Sequence, residues 1–159
     1  MFEQVNDSYL SWLNRLPLSK NTKRGYRIHV GQYLSWLGNC PDGAKALIDP
    51  NERDFVVREY KQWLLQRGKS SSTVNNTLSA LDNFGLYLGL GFAKVKRLDL
   101  PKQAPQALEK DEQRRFLKTV STSKSLRNRT IASILLNCGL RLNEVAQLNV
   151  GDALCANNL

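Results

Sequence analysis

One histidine and three cysteines among 159 residues leave little material for a metal centre or a disulfide scaffold. Cys40, Cys138 and Cys155 are odd in number, far apart and without a CxxC pair, and His29 has no partner at ligand spacing. The expectation is a chain with no metal and no cofactor, working with reduced thiols. His29 lies near a helical apolar stripe and reads as structural. No apolar run approaches the roughly 20 residues that span a bilayer. The opening MFEQVNDSYL places acidic and polar residues where a secretory signal has a basic start and an apolar stretch. A cytoplasmic location with no membrane partner is therefore expected. Strand-like alternation, internal repeats and low-complexity tracts are also missing. A chain of this length is too short for a large α/β enzyme and fits one ordinary domain or two small ones. Its 42% hydrophobic and 23% charged residues allow a packed core rather than wholesale disorder.

What is abundant is positive charge. Lys and Arg number 23 against 14 Asp and Glu, a formal net charge of +9. Residues 1–88 hold 11 basic and 8 acidic groups, residues 89–107 hold 4 and 1, and residues 108–159 hold 8 and 5. Each stretch carries +3, so the short middle one is the most densely positive. Such an excess favours a polyanionic partner, nucleic acid first, because every neutralised phosphate releases counterions. The competing explanation is lysine and arginine serving solubility alone.

Periodicity predicts helices. Phe2, Val5, Tyr9, Trp12, Leu13 and Leu16 recur at helical spacing up to Pro17, which stops the first helix. Ser19 is an N-cap for a second, with Tyr26, Val30, Tyr33, Leu34 and Leu37 on its stripe and Gly38 at its end. CPDG at 40–43 is turn chemistry. Asp49, Pro50 and Glu52 open a third helix with Phe55, Val56, Tyr60, Trp63 and Leu64 inward, closed by Gly68. KSSST at 69–73 opens a fourth, with Val74, Leu78, Leu81, Phe84 and Leu88 on one face. Four amphipathic helices on short connections make an all-α bundle over residues 1–88. Residues 89–107, with two glycines, two prolines and no period, read as an extended basic linker. A partial helical segment follows over 108–159, with helices at about 109–120, 126–138 and 142–149.

Three segments could carry chemistry. In the first, Ser19, Asn21 and Thr22 can donate to phosphate oxygens, and Lys20, Lys23, Arg24 and Arg27 add charge at a helix N-terminus. Lys23 and Arg27 share a face, with Tyr26 towards the core. A capped helix with a solvated basic face explains the same residues without a ligand. Arg67, Lys69, Ser70, Ser71, Thr73 and Asn76 repeat the pattern at the next helix start. Two such starts, with Lys94, Lys96, Arg97 and Lys102 of the linker, favour a grip on double-stranded DNA over two isolated caps. In the third segment an apolar helix runs into Cys138, Gly139 and Leu140, and Arg141 then opens a new helix, where its planar guanidinium could hold a phosphate.

That third segment resembles the box carrying the first catalytic arginine of the tyrosine recombinase (phage integrase, Xer-like) family. Gly139, Leu140, Arg141, Glu144, Leu148 and Asp152 match the family pattern, whereas Cys138 replaces a usual Thr and Asn143 a common Ser. NTKRGYRIHVGQYLSWL and SSSTVNNTLSALDNFGLYL resemble the second and fourth helices of the family's SAM-like core-binding domain. LPKQAPQALEKDEQRRFL resembles its interdomain linker and the first catalytic-domain helix. The resemblance implies a DNA-clamping domain over 1–88, a linker over 89–107 and the N-terminal part of a catalytic domain over 108–159. It further implies self-association on DNA, a role in recombination or integration through a 3′-phosphotyrosyl intermediate, and Arg141 as an active-site arginine on the scissile phosphate. The family's remaining catalytic residues lie downstream of that box. Tyr9, Tyr26, Tyr33, Tyr60 and Tyr87 all precede Arg141, so these 159 residues are expected to bind DNA without cutting it.

Two other readings compete. A helix-turn-helix regulator would place Val145 six residues after Gly139 and turn Asn143, Gln147 and Asn149 towards bases. An all-α protein-interaction module would treat the charge as incidental. On the recombinase reading, residues 108–159 hold only the opening of a larger core, so the apolar residues Ile131, Leu135, Leu136, Val145 and Leu148 are expected to lack partners, leaving this part mobile, self-associating or swapped with a neighbour.

Overall fold

A computed structural model describes residues 1–41, 43–100, 107–149 and 151–152. It contains helices α1 (Phe2–Arg15), α2 (Lys20–Leu37), α3 (Pro50–Gln66), α4 (Ser71–Tyr87), α5 (Lys110–Ser121), α6 (Leu126–Cys138) and α7 (Leu142–Gln147). A 3₁₀ turn at Lys45–Leu47 precedes α3. No strand occurs among the described residues. The chain forms two units, Met1–Lys102 and Gln103–Leu159.

Local chemistry sets the helix starts of the first unit. Ser19 Oγ accepts the Thr22 amide at 3.1 Å, Ser70 Oγ accepts that of Thr73 at 3.2 Å, and Asp49 Oδ1 accepts that of Asn51 at 2.7 Å. Each bond satisfies a donor that the helix itself leaves open and contributes about 1 kcal/mol. Pro50 takes the first position of α3, where its missing N–H is not needed.

The four helices bury one core built from Tyr9, Leu13, Val30, Tyr33, Leu37, Val57, Tyr60, Val74 and Phe84. Each apolar side chain buried there contributes roughly 1.5–3 kcal/mol of transfer free energy. Tyr9 meets Phe84 edge-on at 5.1 Å, and its hydroxyl donates to Asn83 Oδ1 at 2.8 Å. Tyr33 and Tyr60 pack edge-on at 5.2 Å with buried hydroxyls that have no partner among the described residues. Burial raises the pKa of all three phenols, Tyr60 to about 12.

Phe55 departs from the expected inward stripe of α3 and is 57% exposed. At 3.6 residues per turn, positions 53, 56, 57, 60 and 64 share a face and 55 lies opposite it. Arg53 takes the inward place and is buried, with Asp54 buried beside it.

That buried pair determines where the next segment runs. Residues 90–100 have no regular secondary structure, yet they lie against the bundle. Arg53 Nη1 donates to the Leu90 and Gly91 carbonyls at 2.8 Å, and Nη2 donates to that of Phe92 at 3.0 Å. The same guanidinium pairs with Asp54 at 2.7 Å, while Asp54 accepts the Lys94 amide at 3.2 Å. Asn75 brackets Leu98, donating to its carbonyl at 2.8 Å and accepting its amide at 2.9 Å. A Cβ on Gly85 would sit 2.3 Å from the Gly91 carbonyl oxygen, so this close crossing requires glycine. The basic stretch is a strap on α3 and α4 at least as far as Leu98.

In the second unit no described residue is buried. Ile131, Leu135, Leu136 and Val145 are half-buried, and Leu126, Leu142 and Leu148 are exposed. Three short helices cannot enclose a core of their own.

Candidate nucleic-acid interface

The N-termini of α2 and α4 each present backbone amides and a partial positive charge. Their caps use several hydroxyls that the sequence offered as phosphate donors. Ser19 bonds Thr22 and Ser70 bonds Thr73, each hydroxyl pair at 2.9 Å. Lys23 donates its ammonium to the Asn14 carbonyl at 2.7 Å, tying α2 to the end of α1. The Arg67 guanidinium lies 4.2 Å from the centroid of the Trp63 ring, a cation–π stack. Ser71 is half-buried. Lys20, Asn21, Arg24, Arg27, Lys69 and Asn76 are exposed, and their side chains have no hydrogen bond or ion pair among the described residues.

Direct packing brings the two helices together. Thr77 Oγ1 of α4 lies 3.0 Å from His29 Nδ1 of α2. Beside this contact is a groove of about 490 Å³ lined by Asn21, Gly25, Tyr26 and His29 from α2 and by Asn76 and Ser79 from α4. Burial lowers the His29 pKa below its usual 6.5, keeping the ring neutral near pH 7. On α2, Asn21, Gly25 and His29 form one stripe, and Lys20, Lys23 and Arg27 fall on the opposite side. The groove is thus neutral, with the cations outside it. Gly25 and Ser79 were not singled out from sequence, and His29 was read there as structural. A polar i, i+4 stripe at 21, 25 and 29 was the available signal.

The linker cations have different surroundings. Lys94 and Lys96 are exposed. Arg97 forms an ion pair with Asp82 and donates to the Asn75 carbonyl at 2.8 Å, which holds its charge against α4. Lys102 lies outside the described residues, as does Cys155.

In the second unit Gly139 closes α6 at φ +64°, the left-handed conformation that glycine adopts without strain. Arg141 caps α7. Its backbone amide donates to Glu144 Oε2 at 2.7 Å and its Nη1 to Glu144 Oε1 at 3.0 Å. The Arg141 side chain is 86% exposed. Among the described residues, no group of three or more His, Cys, Asp or Glu side chains is placed to hold a metal ion. No helix searched there is long and apolar enough to cross a membrane.

Residues 7–89 match the family described as phage integrase, N-terminal SAM-like domain. Tyrosine recombinase XerD of Listeria monocytogenes serotype 4b (strain F2365) is 31% identical over 146 residues, covering 85% of this chain and 48% of that protein. Tyrosine recombinase XerA of Pyrococcus horikoshii is 27% identical over 150 residues, covering 93% and 47%. A crystal structure of XerA recombinase superimposes with a TM-score of 0.47 at 23% identity, covering 96% of this chain and 51% of that one. The chain spans about half the length of the curated relatives it matches. With more than half of its residues inside the family match, the chain belongs to the tyrosine recombinase (phage integrase) family.

Proposed function

We propose that residues 1–159 bind duplex DNA as the core-binding part of a site-specific recombinase, working in the cytoplasm. The observation that carries this reading is the polar groove between α2 and α4, with Asn21, His29, Asn76 and Ser79 along it, together with Lys20, Arg24, Arg27 and Lys69, which are exposed and without partners among the described residues. Backbone amides at two helix starts and unengaged cations are what a phosphate backbone requires. Lys94 and Lys96 on the strap extend the positive surface, and the half-buried apolar residues of the second unit support self-association on DNA. The helix-turn-helix alternative has less support, since α7 spans only six residues.

Family membership suggests metal-independent breakage and rejoining of DNA through a 3′-phosphotyrosyl intermediate, with Arg141 on the scissile phosphate. These 159 residues by themselves do not perform it. Cleavage needs a nucleophile together with several converging donors on the transition-state phosphorane. Arg141 supplies one such donor, and all five tyrosines, Tyr9, Tyr26, Tyr33, Tyr60 and Tyr87, belong to the first unit, three of them buried in its core.

The test is fluorescence anisotropy of residues 1–159 on a labelled duplex over a salt series. With about six phosphate contacts, log affinity falls against log salt with a slope near −5. A slope near zero overturns the reading.

A further inference from the structure

We propose that a second groove, between α2 and α3, is a docking site for a partner protein, and that its occupant is a short extended acidic segment with an apolar anchor. This groove has a volume of about 780 Å³. Gly31, Ser35 and Trp36 line its α2 side, Tyr60 and Trp63 its α3 side, and Arg67 and Lys69 lie where α3 ends. It shares no lining residue with the groove between α2 and α4, so the inference stands independently of the DNA-binding reading.

The lining supplies the anchor site. Tyr60 is buried, but Trp36 and Trp63 are only half-buried, so two of the chain's three tryptophans offer apolar surface to the groove. The Trp36 ring lies 5.0 Å from Tyr60 and 6.3 Å from Trp63, tilted by 46° and 54°. Arg67 already covers Trp63 at 4.2 Å, and Tyr60 lies nearly parallel beside it at 20°. Indoles at such angles form no slot for a flat base. They form an irregular apolar wall that a leucine, proline or aromatic side chain fills, and aromatic-lined grooves are a recurring form of peptide site.

Charge sets the sign of the occupant. Arg67 and Lys69 are the charged residues of the lining, which contains no carboxylate. Both are exposed, and neither has an ion pair or hydrogen bond from its side chain among the described residues. Stacked on Trp63, the Arg67 guanidinium keeps its N–H edge for a carboxylate.

The α2 wall sets the length. From Gly31 to Asn39 it runs about 12 Å at 1.5 Å per residue, room for about four residues of extended chain at about 3.3 Å each. Gln32 and Ser35 have side chains without partners among the described residues. Asn39 Nδ2 donates to the Ser35 carbonyl at 2.9 Å and leaves Oδ1 as an acceptor. Such amides and hydroxyls can pair with the backbone of an extended segment.

The experiment pans residues 1–159 against a phage-displayed library of randomised heptapeptides. Enriched peptides, synthesised with a fluorescent label, are then titrated into wild type, Gly31→Leu, Ser35→Phe and Arg67→Gln. They should combine Asp or Glu with an aromatic or aliphatic residue, and their binding should shift the tryptophan emission. Gly31→Leu plugs the groove from a position where a Cβ meets nothing within 4 Å, and leucine is the better helix former. It should melt at or above the wild-type temperature and weaken the peptide at least 10-fold. Ser35→Phe, a second plug on an exposed position, should act alike. Arg67→Gln should weaken binding about 2- to 5-fold and reduce its salt dependence, as expected for an exposed ion pair. Failure to enrich any peptide, enrichment of peptides without acidic residues, or wild-type affinity in both plugged variants overturns the inference. So does tryptophan quenching by a single-stranded thymidine oligonucleotide in place of peptide enrichment, which would assign the groove to nucleic acid.

Discussion

Arg53→Met tests whether a buried guanidinium holds the basic segment against the bundle. Arg53 is 5% exposed, pairs with Asp54 at 2.7 Å and donates to three consecutive carbonyls of the strap. Methionine retains much of the apolar stem but removes all of these bonds. It also leaves the Asp54 carboxylate buried with only the Lys94 amide as a hydrogen-bond partner. Removing one member of a buried pair costs about 3–5 kcal/mol, most of it the uncompensated charge. The three carbonyls add less, because the strap can lift away and find water. Urea unfolding followed by circular dichroism should therefore show a loss of about 3–5 kcal/mol. Trypsin should cut faster at Lys94, Lys96 and Arg97. Arg53→Met with Asp54→Leu should recover a large part of the lost stability, because no charge then remains without a partner. A loss below about 1 kcal/mol, the scale of one ordinary hydrogen bond, with unchanged trypsin protection would refute the reasoning.

Gly85→Ala should destabilise the first unit by about 1–3 kcal/mol in the same unfolding assay, because its methyl lands on the Gly91 carbonyl and the strap must shift. Acid should weaken the unit in two stages. Burial lowers the folded-state pKa of His29, so the unfolded chain takes up that proton first and stability declines as the pH falls below about 6.5. For Asp54, burial pushes the pKa up, but hydrogen bonds from Arg53 and from the Lys94 amide outweigh it and leave it below the usual value. The stability this contributes is present above about pH 4 and is lost as the pH falls through the lowered folded-state value. Urea midpoints across pH 8 to 3 check both stages, and His29→Gln should remove only the first.

Helix starts were legible because their determinants are local. Ser19, Asp49–Pro50 and Ser70 each bond an amide two or three residues on, and a reader of the sequence sees both partners at once. The core of α1, α2 and α4 followed from period alone. The inward face of α3 did not, since an apolar Phe55 outranks a charged Arg53 in any hydropathy reading. Arg53 is tolerated inside because its partners lie 37 to 39 residues away at Leu90, Gly91 and Phe92. For the same reason the linker read as extended but not as docked. The two helix starts were recognised as a pair, but which side chains line the space between them depends on the packing of α2 against α4. That packing placed Gly25, His29 and Ser79 at the groove and Lys20, Lys23 and Arg27 behind it.

The central claim concerns where DNA lies, and amide chemical-shift mapping of an isotope-labelled 159-residue chain titrated with a duplex measures this most directly. The account predicts that the largest shifts cluster in residues 19–29 and 69–79, with smaller ones along 94–96. Shifts concentrated on α1 or on the exposed side of α3 around Phe55, with the groove between α2 and α4 unperturbed, would contradict it.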